Sequence, residues 1–386
     1  MKKKVLSVLS YVLVALVASG TTLACALFFF REDTGKLQQV QDLLQERFIE
    51  EVDQDALEDA AAQAMVEALG DRWSYYMTAE EYLSYQDTMS NSYVGVGITV
   101  QLREDRQGFD ILKVEPKGPA NEAGVRAGDR LVAVNGTSVL DAQDTSVLDP
   151  IKGEEGTTVE LTLVRGEEEL TLTVERRRFD TQVATYQMLE DQIGLVTILN
   201  FDERCAQETI AAVEELLDQG AQALIFDVRY NPGGYKRELV EILDYLLPEG
   251  PLFRTVDYQG REEVDESDEN FVDVPMAVVM NLHSYSAAEF FAAALSEYEA
   301  AFTVGEKTYG KGYFQNTFQL SDGSAVNLSV GKYYTPKGVS LAGVGLTPDV
   351  PVEVDEQTAA KIQDGTLDPA EDPQIQAAVN RLKDGK

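Results

Sequence analysis

The sequence predicts a multidomain protein of mixed α+β and α/β class, with a membrane anchor and a helical segment ahead of two folded domains. Three observations predict it. Three lysines precede a long uncharged apolar run, the hydrophobic period changes from helical to strand-like at Tyr93, and from Phe179 strand-like and helix-like segments alternate. With 386 residues, 44% of them hydrophobic, the chain has room for two or three cores.

Lys2, Lys3 and Lys4 stand before Val5 to Phe30, a stretch without charge and long enough to span a bilayer as a helix. Positive charge stays on the cytoplasmic side, so a single-pass anchor over 1–30 puts everything from residue 31 on the extracytoplasmic side of the cell membrane. A cleaved signal peptide competes with this reading, but the run continues through Leu27 to Phe30, beyond the small residues Ala18, Ser19 and Gly20. Lipoprotein cleavage before Cys25 would want a bulky aliphatic residue where Thr22 stands.

The region 31–92 is expected to be helical. Leu37, Val40, Leu43, Leu44 and Phe48, then Leu57, Ala61, Met65 and Leu69, recur mostly at three- and four-residue spacing until Gly70 interrupts them in "EALGDRWSYYM". Such amphipathic helices either pair with a second copy, making a homodimer, or pack on their own domain.

Charge and cysteine content narrow the function. Sixty-seven acidic against 32 basic residues give a formal charge of -35, which repels nucleic acid and anionic headgroups over most of the surface. The acidic stretch 262–269 is expected to be an exposed loop. Outside the apolar segment only Cys205 remains, read as a small packed helix residue. One cysteine and one histidine, His283, argue against a disulfide and against Cys- or His-built metal sites, so neither metal nor cofactor is expected.

From Tyr93 the chain reads "YVGVGITVQL", "FDILKVEP" and "GPANEAGVRAGDRLVAVNGTSV": strands, a short helix and turns. This resembles a PDZ domain over roughly 93–178. The resemblance implies that Val94, Gly95, Val96, Gly97 and Ile98 offer backbone N–H groups to a peptide C-terminal carboxylate, the peptide adding as an edge strand.

The segment 179–355 alternates "IGLVTILNF", a helix over about 203–219, "ALIFDVR", a helix over about 236–247, "MAVVMN", another helix and further strands. It is expected to be an α/β core, followed by a polar tail, 356–386, with one short helix near Gln374 to Leu382.

Within that core, "NLHSYSAAEFFAAAL" sets Ser286 before an apolar helix. Ser286, Ala287, Ala288 and Glu289 fit a capping box, with Ser284 available as an alternative cap. A helix N-terminus also suits a nucleophile, and the Ala287 N–H could serve a developing oxyanion. A serine nucleophile needs a base. His283, three residues away on the same turn, is ill-placed to be one, which leaves a neutral lysine. Lys307 and Lys311 lie downstream in "VGEKTYGKGYFQNTFQL". Lys311 is preferred, with Gly310 and Gly312 beside it and Tyr309, Tyr313 and Phe314 nearby. To act near neutral pH its pKa must fall by about three units, roughly 4 kcal/mol, which calls for apolar burial.

"SYSAAEFFAAAL" followed by "VGEKTYGKGYFQ" resembles the nucleophile and base segments of the carboxy-terminal processing, or tail-specific, proteases. The resemblance implies Ser286 as nucleophile, Lys311 as general base and Gln315 as the third member. It also implies that "DVRYNPGG" supplies the second oxyanion donor, Gly233 by preference or Gly234. Asp227 and Arg229 are read as structural charges. An ideal strand would separate Lys311 from Gln315 by ~13 Å, so the two converge only if the chain bends, as Gly312 allows. The likeness extends through "YYTPKGVSLAGVGLTPDV" and "EDPQIQAAV".

Two departures stand out. His283 and Tyr285 replace small residues beside the nucleophile, and Lys152 replaces an arginine implicated in sensing bound peptide, without its guanidinium fork. The expected function is therefore an anchored extracytoplasmic serine endopeptidase acting on protein or peptide tails. The rivals are a catalytically decayed PDZ scaffold and an acyl-transfer hydrolase with non-peptide substrates.

Overall fold

The computed structural model describes residues 35–384. The anchor expected over 1–30 lies outside the described residues. Among those described, no helix is long and apolar enough to cross a membrane.

The chain divides after Ala68 into two units. The first holds helices Lys36–Arg47 and Gln54–Glu67. Asp53 caps the second helix by accepting from the Ala56 N–H at 3.1 Å, and Gln41 donates to Glu58 at 3.0 Å between the two. Only Val66 is buried, so the apolar positions that the 3.6-residue period set out are largely uncovered.

The region 31–92, expected to be helical with an interruption at Gly70, also contains a strand. Residues 75–77 form a strand, Tyr75–Met77, which pairs antiparallel with Ala325–Tyr334, and only then does helix Ala79–Met89 follow under a Thr78 capping box. Two consecutive tyrosines suit a pleated, half-buried surface, and the ladder outweighs the helical period before it.

In the PDZ region, strands Ile98–Leu102, Phe109–Val114, Arg130–Val134, Thr158–Arg165 and Glu168–Glu175 lie in that order in one antiparallel sheet. Phe109, Ile111, Leu131, Leu161, Leu163 and Val174 fill its core from alternate positions. Buried Asp129 holds Arg165 bidentately at 2.7 Å, fixing the turn that precedes the third strand.

The α/β region is built on a six-stranded sheet in the order Ala184–Met188, Ile193–Ile198, Ala223–Asp227, Met276–Met280, Ala301–Gly305, Val350–Pro351. All neighbours after the first pair are parallel. Its two central strands are buried on both faces, which is why they read as unbroken apolar runs. Leu224, Phe226, Met276, Val278 and Met280 face helices Cys205–Asp218, Lys236–Leu246 and Ala287–Glu297, while Ile225, Ala277 and Val279 face helix Pro373–Asp384.

That last helix corrects the reading of 356–386 as a polar tail. Ile375, Ala378, Val379 and Leu382 close the second face of the sheet, and Arg229, 2.6 Å from Asp227 and 2.8 Å from Asp372, fastens the helix's entrance to the strand end. Asp227 and Arg229 are thus structural charges in this fold. The acidic stretch 262–269 is corrected too: Glu262–Ser267 is a strand paired antiparallel with Gly250–Asp257. It lies at a sheet edge, where charged side chains discourage pairing with another chain.

Candidate active site

Strand Met276–Met280 delivers the chain to a tight turn. Asn281 is buried, and its Oδ1 accepts from the N–H groups of His283 at 3.0 Å and Tyr230 at 3.1 Å. Ser284 is locked in the same knot: its Oγ accepts from the Asn281 N–H at 3.0 Å and donates to the Val228 carbonyl at 2.7 Å. The residue offered as an alternative helix cap is therefore engaged elsewhere. Ser286 then takes φ 59° and ψ −127° before helix Ala287–Glu297 begins. A side chain held there is strained, as in the strand-to-helix elbows that thrust a serine toward a substrate. Ser286 is 8% exposed, and the Tyr333 O–H donates to its Oγ at 3.1 Å.

Glu289 is the one charge in the first nine residues of that helix, which are all buried. Its Oε2 accepts from the Ser286 N–H at 3.1 Å and the Lys311 N–H at 2.9 Å; its Oε1 accepts from the Gly310 N–H and the Thr308 hydroxyl, each at 2.6 Å. One buried carboxylate thus joins the Ser286 turn to the Lys311 loop. Burial pushes its pKa up against the pull of these four donors. Sequence reasoning saw only the capping box; a lone acid in an otherwise apolar helix was the available signal.

Lys311 is half-buried, and that burial brings its amine down to about 8, against the opposing charges of Glu289 and Asp71. The Nζ rests 4.3 Å from the centre of the Trp73 ring and, among the described residues, makes no hydrogen bond or ion pair. Trp73, the only tryptophan, was not singled out from the sequence. The bend needed between Lys311 and Gln315 is present as a register shift between Phe314 and Gln315, and Gly312 packs where a Cβ would lie 2.3 Å from that of Ala342. The Gln315 amide nonetheless faces Ser329, donating to its Oγ at 3.0 Å, and is not hydrogen-bonded to Lys311.

Against the Ser286 turn lies the "NPGG" turn. Gly233 has φ 91°, and a Cβ on it would sit 2.6 Å from the Ser286 Cβ and 2.9 Å from the Ala287 nitrogen. Its missing side chain keeps open the space in front of the Ala287 N–H, which has no acceptor among the described residues. The Gly233 N–H itself donates to Asn231 Oδ1 at 2.8 Å, whereas that of Gly234 has no acceptor among the described residues. His283 is exposed and stacks on Tyr230 at 5.1 Å. Cys205 is fully buried in its helix, and no cluster of metal-ligating side chains occurs among the described residues.

A groove of about 560 Å³ runs along the PDZ sheet, lined in part by Gly95, Val96, Gly97, Ile98 and Lys152. Val94 does not line it; it stands in the ladder between Ser92–Gly95 and Arg177–Asp180. Among the described residues the N–H groups of Val96 and Gly97 have no acceptor, while their carbonyls accept from Ala120 and Glu115. Lys152 is exposed and lies 3.7 Å from Asp149. Arg176, by contrast, is buried and donates to the carbonyls of Pro150, Ile151 and Thr158, bracing the loop from which Lys152 projects.

A profile of peptidase family S41 matches residues 192–352, one of the PDZ domain matches 111–165, and one of the N-terminal domain of the activating protease CtpB matches 18–81. The carboxy-terminal processing protease CtpA of Bacillus subtilis is 34% identical over 324 residues, covering 83% of this chain and 69% of that protein. A probable CtpA-like serine protease of Staphylococcus aureus is 31% identical over 324 residues, 82% of this chain and 64% of that protein, so the chain spans about two thirds of these relatives. Among solved structures, a photosystem II D1 C-terminal processing protease superposes with a TM-score of 0.50 at 28% identity, covering 82% of this chain and 86% of that one. A putative S41 protease from Bacteroides fragilis superposes with 0.59 at 15% identity, covering 84% and 90%, a likeness of fold.

Proposed function

The chain belongs to the serine-type carboxy-terminal processing peptidases of family S41, and on that footing we propose that it is a membrane-anchored, extracytoplasmic endopeptidase that captures protein C-terminal tails through its PDZ domain and cleaves peptide bonds by a Ser/Lys mechanism. One observation carries the reading: the strained Ser286 elbow is tied through Glu289 to the loop bearing a half-buried lysine of lowered pKa.

In this reading Ser286 Oγ leaves Tyr333 and attacks the scissile carbonyl. Lys311, neutral, takes the serine proton, gives it to the departing amine, and then activates the water that hydrolyses the acyl-enzyme. The Ala287 N–H holds the oxyanion, joined by the Gly233 N–H once it turns from Asn231. Catalytic hydrogen bonds often close only around substrate, so a Lys311 amine resting away from Ser286 is compatible with this role. Gln315 acts through the strand it shares with the Lys311 loop. These steps call on no metal and no cofactor.

A tail enters the PDZ groove by adding a strand, with Val96 and Gly97 N–H groups for its carboxylate and Lys152 at the rim. Occupancy gates the core to the extent that the tail binds the active arrangement better than the resting one. Lys2 to Lys4 and the uncharged run to Phe30 support anchoring, and the exposed Leu37, Val40 and Leu43 mark where a second copy would pair.

The experiment is mass spectrometry of membrane-exterior proteins from cells carrying wild type or Ser286→Ala. C-terminally trimmed proteins confined to wild type support the proposal. Identical termini in both, with peptide binding retained, support a scaffold instead.

A further inference from the structure

Trp73 precedes the PDZ region by some twenty residues, yet it belongs to the protease site. Its own backbone is fixed there. The Asn327 side chain donates to the Trp73 carbonyl at 3.0 Å, and the Ser329 N–H donates to Ser74 Oγ at 3.0 Å. Ser74 Oγ in turn donates to Asp71 at 2.6 Å, and the Trp73 N–H reaches the same carboxylate at 3.2 Å. Ser329 is also the residue that receives the Gln315 amide. The strand Ala325–Tyr334 therefore sets the indole and Gln315 in one frame, and its Tyr333 also donates to Ser286 Oγ.

The ring is held on several sides. Tyr285 lies 6.0 Å away, tilted, and Tyr309 meets it edge-on at 5.8 Å, while the Arg72 guanidinium covers the indole at 4.9 Å and the Tyr309 ring at 5.1 Å. Lys311 Nζ lies within the reach at which an indole face attracts a cation.

We propose that Trp73 is a positioning residue for Lys311: its indole face holds the amine in its cationic form, disengaged from Ser286, and so sets the pH at which the base becomes available. The charged and titratable groups around that amine are Asp71, Arg72, Tyr285, Glu289 and Tyr309. Asp71 and Glu289 favour the cation and burial disfavours it. The indole adds to the cation's side through its ring quadrupole and to the neutral form's side by excluding water. Removing the aromatic ring while keeping apolar bulk isolates the first effect. The inference rests on Lys311 being the base of the proposed reaction, but its test does not require turnover.

The test uses the Ser286→Ala protein, with Trp73 retained or changed to Phe or Leu. The rate of reductive methylation of Lys311 is followed by peptide mass spectrometry from pH 6 to pH 11, since only the neutral amine reacts. The proposal predicts that the midpoint falls in the order Trp, Phe, Leu, by about half a unit to one unit in all. In proteins that keep Ser286, the acid limb of kcat/KM should move with it. An unchanged midpoint in both variants, or one that rises, overturns the role given to the ring. Absence of cleavage by wild type with the ordered midpoints intact would instead count against Ser286 and Lys311 as a catalytic pair and leave the Trp73 contact standing.

Discussion

Glu289 accepts hydrogen bonds from the backbone N–H groups of Ser286 and Lys311 on one and the same oxygen, at 3.1 and 2.9 Å. The Ser286 turn and the Lys311 loop are therefore held to each other by a carboxylate and not by a hydrogen bond between the two side chains.

Replacing Glu289 by Gln should be costly. The amide offers one acceptor where the carboxylate has two, so its NH2 must confront either Gly310 and Thr308 or Ser286 and Lys311. Loss of about 2–3 kcal/mol of stability is expected in urea unfolding, with activity reduced at temperatures where the variant remains folded. A midpoint equal to wild type would remove Glu289 from its place as the joint.

Lys311 has opposite effects on rate and stability. As a base it must be neutral, so kcat/KM should rise with pH through about 8 and flatten above it. For stability, a folded pKa below the ordinary 10.5 means that the unfolded chain binds more protons between about 8 and 10.5. Stability from this group is then full above about 10.5 and is lost as pH falls through about 8. Lys311→Met should abolish activity, raise stability near pH 7 by about 2–3 kcal/mol and flatten its pH dependence. Thermal melts of both proteins at pH 7 and pH 10 check the sign.

Gly233→Ala places a methyl group in the cradle in front of the Ala287 N–H, at a φ of 91° that alanine adopts with strain. A fall in kcat of at least ~10²-fold is expected, with ~1–2 kcal/mol of lost stability. Full activity would mean that the oxyanion lies elsewhere.

Much of this site was legible because its parts are local. Ser286 and Lys311 each sit in a short stretch, an apolar helix after a serine turn and a lysine between glycines, and it was the resemblance of these stretches to the carboxy-terminal processing proteases that implied their roles. The Glu289 joint was not, because three of its four donors come from Thr308, Gly310 and Lys311, and no periodicity within the helix encodes partners that distant. Trp73 was hidden for the same reason: its role depends on the pairing of Tyr75–Met77 with a strand near the other end of the chain. The strand Glu262–Ser267 was misread by composition, since an edge strand keeps its charges; the helix expected near Gln374 to Leu382 is present as Pro373–Asp384, but its place against the sheet was missed because an amphipathic helix buries only one face.

The elbow at Ser286 predicts a further stability effect. With φ 59° and ψ −127°, any side chain is strained there, and glycine is not. Ser286→Gly should be more stable than Ser286→Ala by about 1–2 kcal/mol, both being inactive. Equal melting of the two would show that the turn stores no strain.

The central claim is that Ser286 attacks and Lys311 activates it. Its most direct test is cleavage of a protein bearing a disordered C-terminal tail by wild type, Ser286→Ala and Lys311→Met side by side, with the trapped enzyme analysed by mass spectrometry. Wild type should cut the tail and carry an acyl adduct on the peptide containing Ser286, and both variants should be slower by at least ~10³-fold. Cleavage by Ser286→Ala at the wild-type rate would contradict the account.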